Sequence, residues 1–265
     1  MSLFNFFKKS PKEPNLPEQE SNILLAMPMF NNGDGYDVNK IIADLASHWA
    51  LDAADIEGDD NVISFRINGE KVIIAHMPIP IPWADIEATA QYAYNWSKAT
   101  EELKEHTGHA IVSILAGSGN SLERFSILSK VLCSILHTSN AVAVYKGSQS
   151  LLIPRTQYLS YSELLEKNDI PVMLWVYIGL RKLNTGNCAY TYGLKDFQKQ
   201  EMEIIDSAQG LEELYNFMLN ITSYVIDHNV TLKDGETIGS TPEQKIAITF
   251  SKGQFVEGDS LKLEI

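Results

Sequence analysis

Cysteine is scarce in this chain. Among 265 residues there are two, Cys133 and Cys188. Two thiols make no disulfide framework, which excludes a small stapled secreted fold and points to a reducing compartment. Long apolar runs are missing too: none reaches the roughly 18–20 residues that a membrane-spanning helix needs. Basic residues are few, 21 Lys and Arg against 34 Asp and Glu, for a formal net charge of −13. Such a chain repels phosphate backbones and anionic lipid, which argues against nucleic acid and membrane partners. An acidic surface suits solubility, or docking on a protein partner with a basic surface. The N-terminal sequence also lacks the form of a secretory signal, because its lysines follow the apolar cluster and no small-residue cleavage site comes after. The expected location is the cytoplasm.

What is present is ordinary globular composition: 45% hydrophobic and 21% charged residues, which argues against disorder. Residues 1–21 read as a tail and linker. Phe4, Phe6 and Phe7 form an aromatic patch, and Pro11, Pro14 and Pro17 follow. Proline fixes φ and removes a donor, so the patch is tethered to the body rather than built into it. It reads as a peptide that docks on a partner, or transiently on a membrane, or else as a frayed terminus. Lys8, Lys9 and Lys12 are the charged residues of the first twelve; taking away their three charges leaves −16 on the rest.

Ile23 to Phe30 reads as a buried strand. Asp37 is placed to cap a helix whose Val38, Ile41, Ile42, Leu45 and Trp49 recur at helical spacing. Val62–Ile67 and Lys71–Ala75 flank Asn68-Gly69, a hairpin signal, since both turn residues tolerate positive φ. Pro78, Pro80 and Pro82 lead into helical sequence from Trp83 to Glu105, and a strand follows from His109 to Leu115. This β-α-β-β-α-β order predicts a ferredoxin-like first half within an α+β fold of antiparallel or mixed sheets covered by helices. Further along, Leu122–His137 and Leu211–His228 read as helices. Ala141–Tyr145, Ile170–Leu183, Cys188–Tyr192, Glu201–Ile205, Ile246–Phe250 and Leu261–Ile265 read as strands. The division expected is an N-terminal lobe over 22–150 and a C-terminal lobe over 151–265. No composition shift marks a linker between them, which leaves open one continuous sheet.

The most distinctive candidate site is the loop Gly117, Ser118, Gly119, Asn120, Ser121. There a strand enters a helix, and N–H groups at a helix start bind anions. It lacks the Gly-Lys-Ser/Thr ending of a phosphate loop, and Asn120 or Ser121 serves equally as a helix cap. His76 and His109 are the candidate acid–base groups. His106 and His109 stand three apart beside Glu105, but Gly108 lies between them and no second pair at zinc spacing follows, so no metal is expected. His48, beside Trp49, reads as a structural histidine. Asn31 to Asp37 lacks the ligand set of a calcium loop and reads as a turn and cap. Cys133 sits on an apolar helix face, unsuited to a nucleophile, and no serine-nucleophile elbow occurs. Glu201 and Glu203 alternate on a strand, a pattern that usually marks a solvated sheet face. No cofactor motif is found.

The phrases TYGLKDF, EMEIIDS, TLKDGETIG and KGQFVEGDSLKL, in that order, carry a resemblance. From about residue 190 to 265 the chain resembles the bacterial domain-of-unknown-function family 4261. The resemblance implies a bacterial, cytoplasmic protein and brings no catalytic residues. Gly235, Gly239, Gly253 and Gly258 in these phrases suit either a recognition surface of loops or the turns of a small meander. The functional expectation is a non-enzymatic protein-binding module of immunity or adaptor type. The alternative is an enzyme of unrecognised type with a cleft near Gly117–Ser121.

Overall fold

The computed structural model describes residues 23–115, 120–239 and 245–265. In chain order the elements are β1 (Leu24–Phe30), α1 (Val38–Trp49), β2 (Ala54–Gly58), β3 (Val62–Ile67), β4 (Glu70–Met77), α2 (Trp83–Ala90), α3 (Ala99–Leu103) and β5 (Gly108–Ile114). Then come α4 (Ser121–Thr138), β6 (Ala143–Lys146), β7 (Leu151–Pro154), α5 (Arg155–Glu166), α6 (Val172–Trp175), β8 (Tyr177–Lys182) and β9 (Asn187–Tyr192). The last are β10 (Met202–Ser207), α7 (Leu211–Asp227), β11 (Thr237–Ile238), β12 (Ile246–Lys252) and β13 (Asp259–Glu264).

The strands form two sheets, ordered β2-β3-β4-β5-β1-β6-β7 and β11-β12-β13-β10-β9-β8. The first is antiparallel throughout, whereas the second is mixed, because β10 and β13 run parallel. The fold is thus α+β as its element pattern predicts, but the halves carry separate sheets instead of one continuous sheet. On the first sheet α1 lays down Val38, Ile41, Leu45 and Trp49, all buried, after Asp37 caps it by accepting from Lys40 N. Each such aliphatic side chain contributes about 1.5–3 kcal/mol over leaving it exposed. Helix α4 packs beside α1, and α7 covers β8 and β9. One apolar cluster joins these layers across both sheets. A second, smaller one lies on the opposite face of the first sheet, where Ile86 of α2 and Leu103 of α3 meet Met29.

The ferredoxin-like expectation does not hold. In a split βαβ arrangement, strands joined by a helix run parallel with a third strand between them. Here β4 and β5, joined by α2 and α3, are direct antiparallel neighbours, with Met77 opposite His109. The reason is local. After the Pro78–Pro82 crossing, a run of turns at 91–98 breaks the predicted long helix into two short ones. These pack on the Met29 face of the sheet and return the chain directly beside β4. Other segments differ from expectation as well. Ile170–Leu183 begins with the helical turn α6, seated by Trp175 Nε1 donating to Ser129 Oγ at 2.8 Å. The strands β2 and β7 and the helix α5 have no counterpart in the sequence reading.

Candidate functional site

The turns at 91–98 present Tyr92, Tyr94 and Trp96 on one side of the molecule. Helix α2 stops because Gln91 folds its side-chain amide back onto Ala88 O, and successive turn bonds carry the chain to α3. Trp96 is fixed by Nε1 donating to Glu102 Oε2 at 3.0 Å. Facing these rings are Leu151–Ile153 of β7, Gln157 and Tyr161 of α5, Met173, the start of β8, and Tyr215 of α7. The slot so formed lies where the outer strand of one sheet, β7, meets the outer strand of the other, β8.

Its rings make a cluster of edge-to-face and tilted pairs. Centroid distances are 5.8 Å for Tyr92–Tyr177, 6.2 Å for Tyr94–Tyr177 and 6.4 Å for Tyr94–Tyr215. Tyr94 OH donates to Ile178 O at 2.8 Å, and Gln157 donates to Tyr161 OH at 2.8 Å. The Arg181 guanidinium lies over Tyr92 at 5.6 Å and over Tyr190 at 5.7 Å. Burial, reinforced by neighbouring phenols, pushes the Tyr94 and Tyr177 hydroxyls well above the ordinary tyrosine range. Burial raises Tyr215 as well. All three therefore stay protonated as neutral donors near pH 7.

Size limits what this slot does. Its volume is about 60 Å³. Small-molecule sites run to about 300–1,000 Å³, and a cavity that admits benzene measures about 150 Å³. The slot is therefore too small for a nucleotide, sugar or aromatic metabolite, and its scale is the tip of one side chain.

The structure does not gather the sequence-derived candidates. Strand alternation puts His76 with Ala110 on one face of the first sheet and His109 with Met77 on the other. His76 packs edge-on to Tyr36 and Phe30. His109 is buried and its Nδ1 donates to Ile79 O at 2.9 Å. Burial lowers its pKa, and the carbonyl opposes this. His76 near the end of β4 and His109 near the start of β5 sit at one end of that strand pair, whereas the loop to Ser121 leaves the other end of β5, about 20 Å away at strand rise. Gly117, Ser118 and Gly119 lie outside the described residues, as do Phe4, Phe6 and Phe7. Asn120 caps α4 by accepting from Glu123 N, and Ser121 Oγ donates to Asp196 O. His106 has both ring nitrogens engaged, by Leu103 O and Ile81 N. His48 and His137 lie against Glu166 and Asp44, and no group of His, Cys, Asp and Glu among the described residues is arranged to hold a metal. Burial pushes the Cys133 thiol up to about 12. Cys188 is buried and accepts from Asp206 N.

Glu201 and Glu203 are not on a solvated face. Both are buried, Glu203 completely. The KGQFVEGD segment folds over Glu203, whose carboxylate accepts from Gln254 N at 3.1 Å, Phe255 N and Ser260 Oγ at 2.6 Å each, and Lys262 Nζ. Glu201 accepts from Thr191 Oγ1 at 2.7 Å and Gly193 N at 2.8 Å. The aromatic slot escaped the sequence reading, although a signal was present. In QYAYNW, aromatics fall two apart, a spacing that no single helix face accommodates.

The architecture is therefore an α+β, two-sheet protein with a tyrosine-lined slot between sheet edges, and without a convergent acid–base pair among the described candidates. Residues 190–264 match the family described as Domain of unknown function (DUF4261). That stretch runs from within β9 to the end of β13. It supplies Tyr215 of the slot's rings, Tyr190 behind Tyr177, and the whole Glu203 network. No curated protein and no solved structure matches the chain. No helix among the described residues is long and apolar enough to cross a membrane.

Proposed function

We propose that the protein is a non-catalytic protein-binding module, of immunity or adaptor type, that meets a basic partner and seats one of its side chains in the tyrosine slot. The observation that carries this reading is the slot itself. Five tyrosines and Trp96 line it, the residue types enriched among interface hot spots, and its volume fits a side-chain tip and not a substrate. The net charge of −13 supports a basic partner and predicts association that weakens as salt rises.

The test is capture from native cells at low and high salt, with wild type beside Tyr94→Ala. Tyr94 is 46% exposed, so its truncation is expected to leave the fold intact. Expected is one stoichiometric, salt-sensitive basic partner whose affinity for the variant falls by at least roughly 30-fold, an interface hot spot. Equal capture by both proteins would remove the slot from the interface.

A further inference from the structure

We propose that the outward edge of β8 is a strand-addition site for an extended, basic segment of a partner protein. The proposal rests on the slot being a protein-binding surface and specifies how the partner's backbone engages it. Strand β8 ends the second sheet. Its hairpin with β9 closes through Leu183 N donating to Gly186 O at 2.9 Å. Antiparallel pairs alternate between bonded and non-bonded, so the pairs Lys182–Asn187, Leu180–Ala189 and Ile178–Thr191 are non-bonded. The N–H and C=O groups of Ile178, Leu180 and Lys182 therefore face away from β9.

Two of those carbonyls are held by side chains standing in for a strand: Tyr94 OH at Ile178 O, 2.8 Å, and Arg181 Nη1 at Leu180 O, 3.1 Å. No described residue accepts from the N–H of Ile178 or of Leu180. Ile178 is 3% exposed, and it lines the slot. A shielded donor without an acceptor is costly to leave, and a partner strand supplies the missing carbonyl.

The other three edges are closed to this use. Strand β2 is exposed throughout, carries Asp55 and Glu57, and is broken by a register shift between Ala54 and Glu57. Strand β11 is two residues long. Strand β7 is packed by α2 and buries Leu152 in the α2–α3 cluster. Among the described edge strands, β8 alone is six residues long in unbroken register with outward donors unclaimed.

Charge and ring chemistry select the occupant. The chain carries −13, and the rings beside β8 already hold a guanidinium, that of Arg181, on their faces. A strand pairing with Leu180 displaces Arg181 from its carbonyl and frees the Tyr92 and Tyr190 faces for an arginine or lysine of the partner. Tyr94 and Arg181 act as exchangeable guards, since both leave by side-chain rotation.

The experiment uses the full, isotope-labelled chain and two synthetic probes. One is the acetylated peptide Thr-Lys-Val-Arg-Thr-Lys-Val-Arg. The other is the same peptide N-methylated at alternate residues, which keeps the side chains and blocks strand pairing. Expected is at least about tenfold slower amide exchange at Ile178 and Leu180 with the first probe and none with the second. Tyr94→Phe, which frees Ile178 O, is expected to bind the first probe several-fold more tightly, and an unchanged or weaker affinity counts against the idea. Shifts at Tyr92, Tyr94 and Trp96 without protection at β8 overturn strand addition and leave the slot standing as a protein-binding surface. No response at millimolar peptide overturns strand addition, while the slot is still judged by partner capture. Hydrogen-bond protection of the outward Ile178 and Leu180 amides without any probe also overturns the stated occupant. If it grows with protein concentration, the occupant is a second copy. If it disappears when residues 1–20 are deleted, the occupant is the chain's own N-terminal segment.

Discussion

Replacing Glu203 by alanine is expected to lower stability by about 3–5 kcal/mol, the cost of breaking a buried ion pair from one side. The variant removes the one carboxylate on which Lys262 Nζ, Ser260 Oγ and the N–H groups of Gln254 and Phe255 converge, leaving both N–H groups without that acceptor and Lys262 with only the neutral oxygens Lys252 O and Ser260 Oγ. The location amplifies the loss. Glu203 and Lys262 face each other across the parallel β10–β13 pair, so the carboxylate ties together two strands and the segment that crosses over them. Urea denaturation measures the effect. With slopes of about 1–3 kcal/mol per molar, the midpoint should fall by more than roughly 1 M. A midpoint within error of wild type would mean that the segment folds over the sheet without its anchor.

The neighbouring carboxylate predicts the opposite. Burial would raise the pKa of Glu203, but hydrogen bonds from Lys262, Ser260, Phe255 and Gln254 outweigh it and hold the group below the usual glutamate range. Its contribution is therefore fully present above the unfolded-state pKa, about 4.3, and is lost as pH falls through the lower folded value. For Glu201 burial dominates over its bonds from Thr191 and Gly193, and the pKa is raised. Folding is then disfavoured as pH rises from the unfolded value through the folded one. Glu201→Gln, which keeps an acceptor for Gly193 N, should leave stability at pH 7 within about 1 kcal/mol of wild type or above it. Glu203→Gln should instead lose stability at pH 7 and flatten the acid limb of the curve. Matching losses from both glutamines would show that the two carboxylates do not differ as their surroundings indicate.

These carboxylates mark the boundary of what was legible in the sequence. Local pattern sufficed for β1, the Asp37 cap, the Asn68-Gly69 hairpin, α4 and α7, because periodicity, capping and turn chemistry all lie within a few residues. It failed where a distant segment decides burial. Alternating Glu201 and Glu203 look solvated, but the end of β9 folds against Glu201 through Thr191 and Gly193, and the turn after Lys252, some fifty residues later, closes over Glu203. Likewise, the β-α-β-β-α-β order does not specify pairing. Whether β5 lies beside β4 or beyond β1 depends on how the proline-rich crossing folds. The slot is nonlocal in the same sense, with walls from the 91–98 turns, β7, α5, α6, β8 and α7. The candidates picked from sequence were local features, a glycine-rich loop and single histidines, and the fold uses the described ones as caps and packing groups.

The second large effect is expected at Lys146, the last residue of β6, which is 2% exposed. Its Nζ donates to Leu174 O at 2.9 Å and lies 4.9 Å from the centre of the Phe125 ring. No carboxylate is within ion-pair reach of it among the described residues. Burial pushes its pKa down to about 7, and the more distant Asp196 offsets this only in part. Between this value and the unfolded lysine value near 10.4, the unfolded chain binds the proton and the folded one does not, so stability rises with pH across that window. Below the window both states are charged, and the folded one carries a buried ammonium at a cost of about 3–5 kcal/mol. Lys146→Met keeps the length and removes the charge. It leaves Leu174 O without its donor, which takes back about 1–3 kcal/mol. The expected result at pH 7 is a more stable protein by about 1–3 kcal/mol, and a wild-type gain between pH 7 and 9.5 that the variant lacks. Stability measured by urea at both pH values decides it. A variant weaker than wild type at pH 7 would mean that the ammonium's contacts with Leu174 O and the Phe125 face outweigh its desolvation, and that β6 is fastened to α6 through that charge.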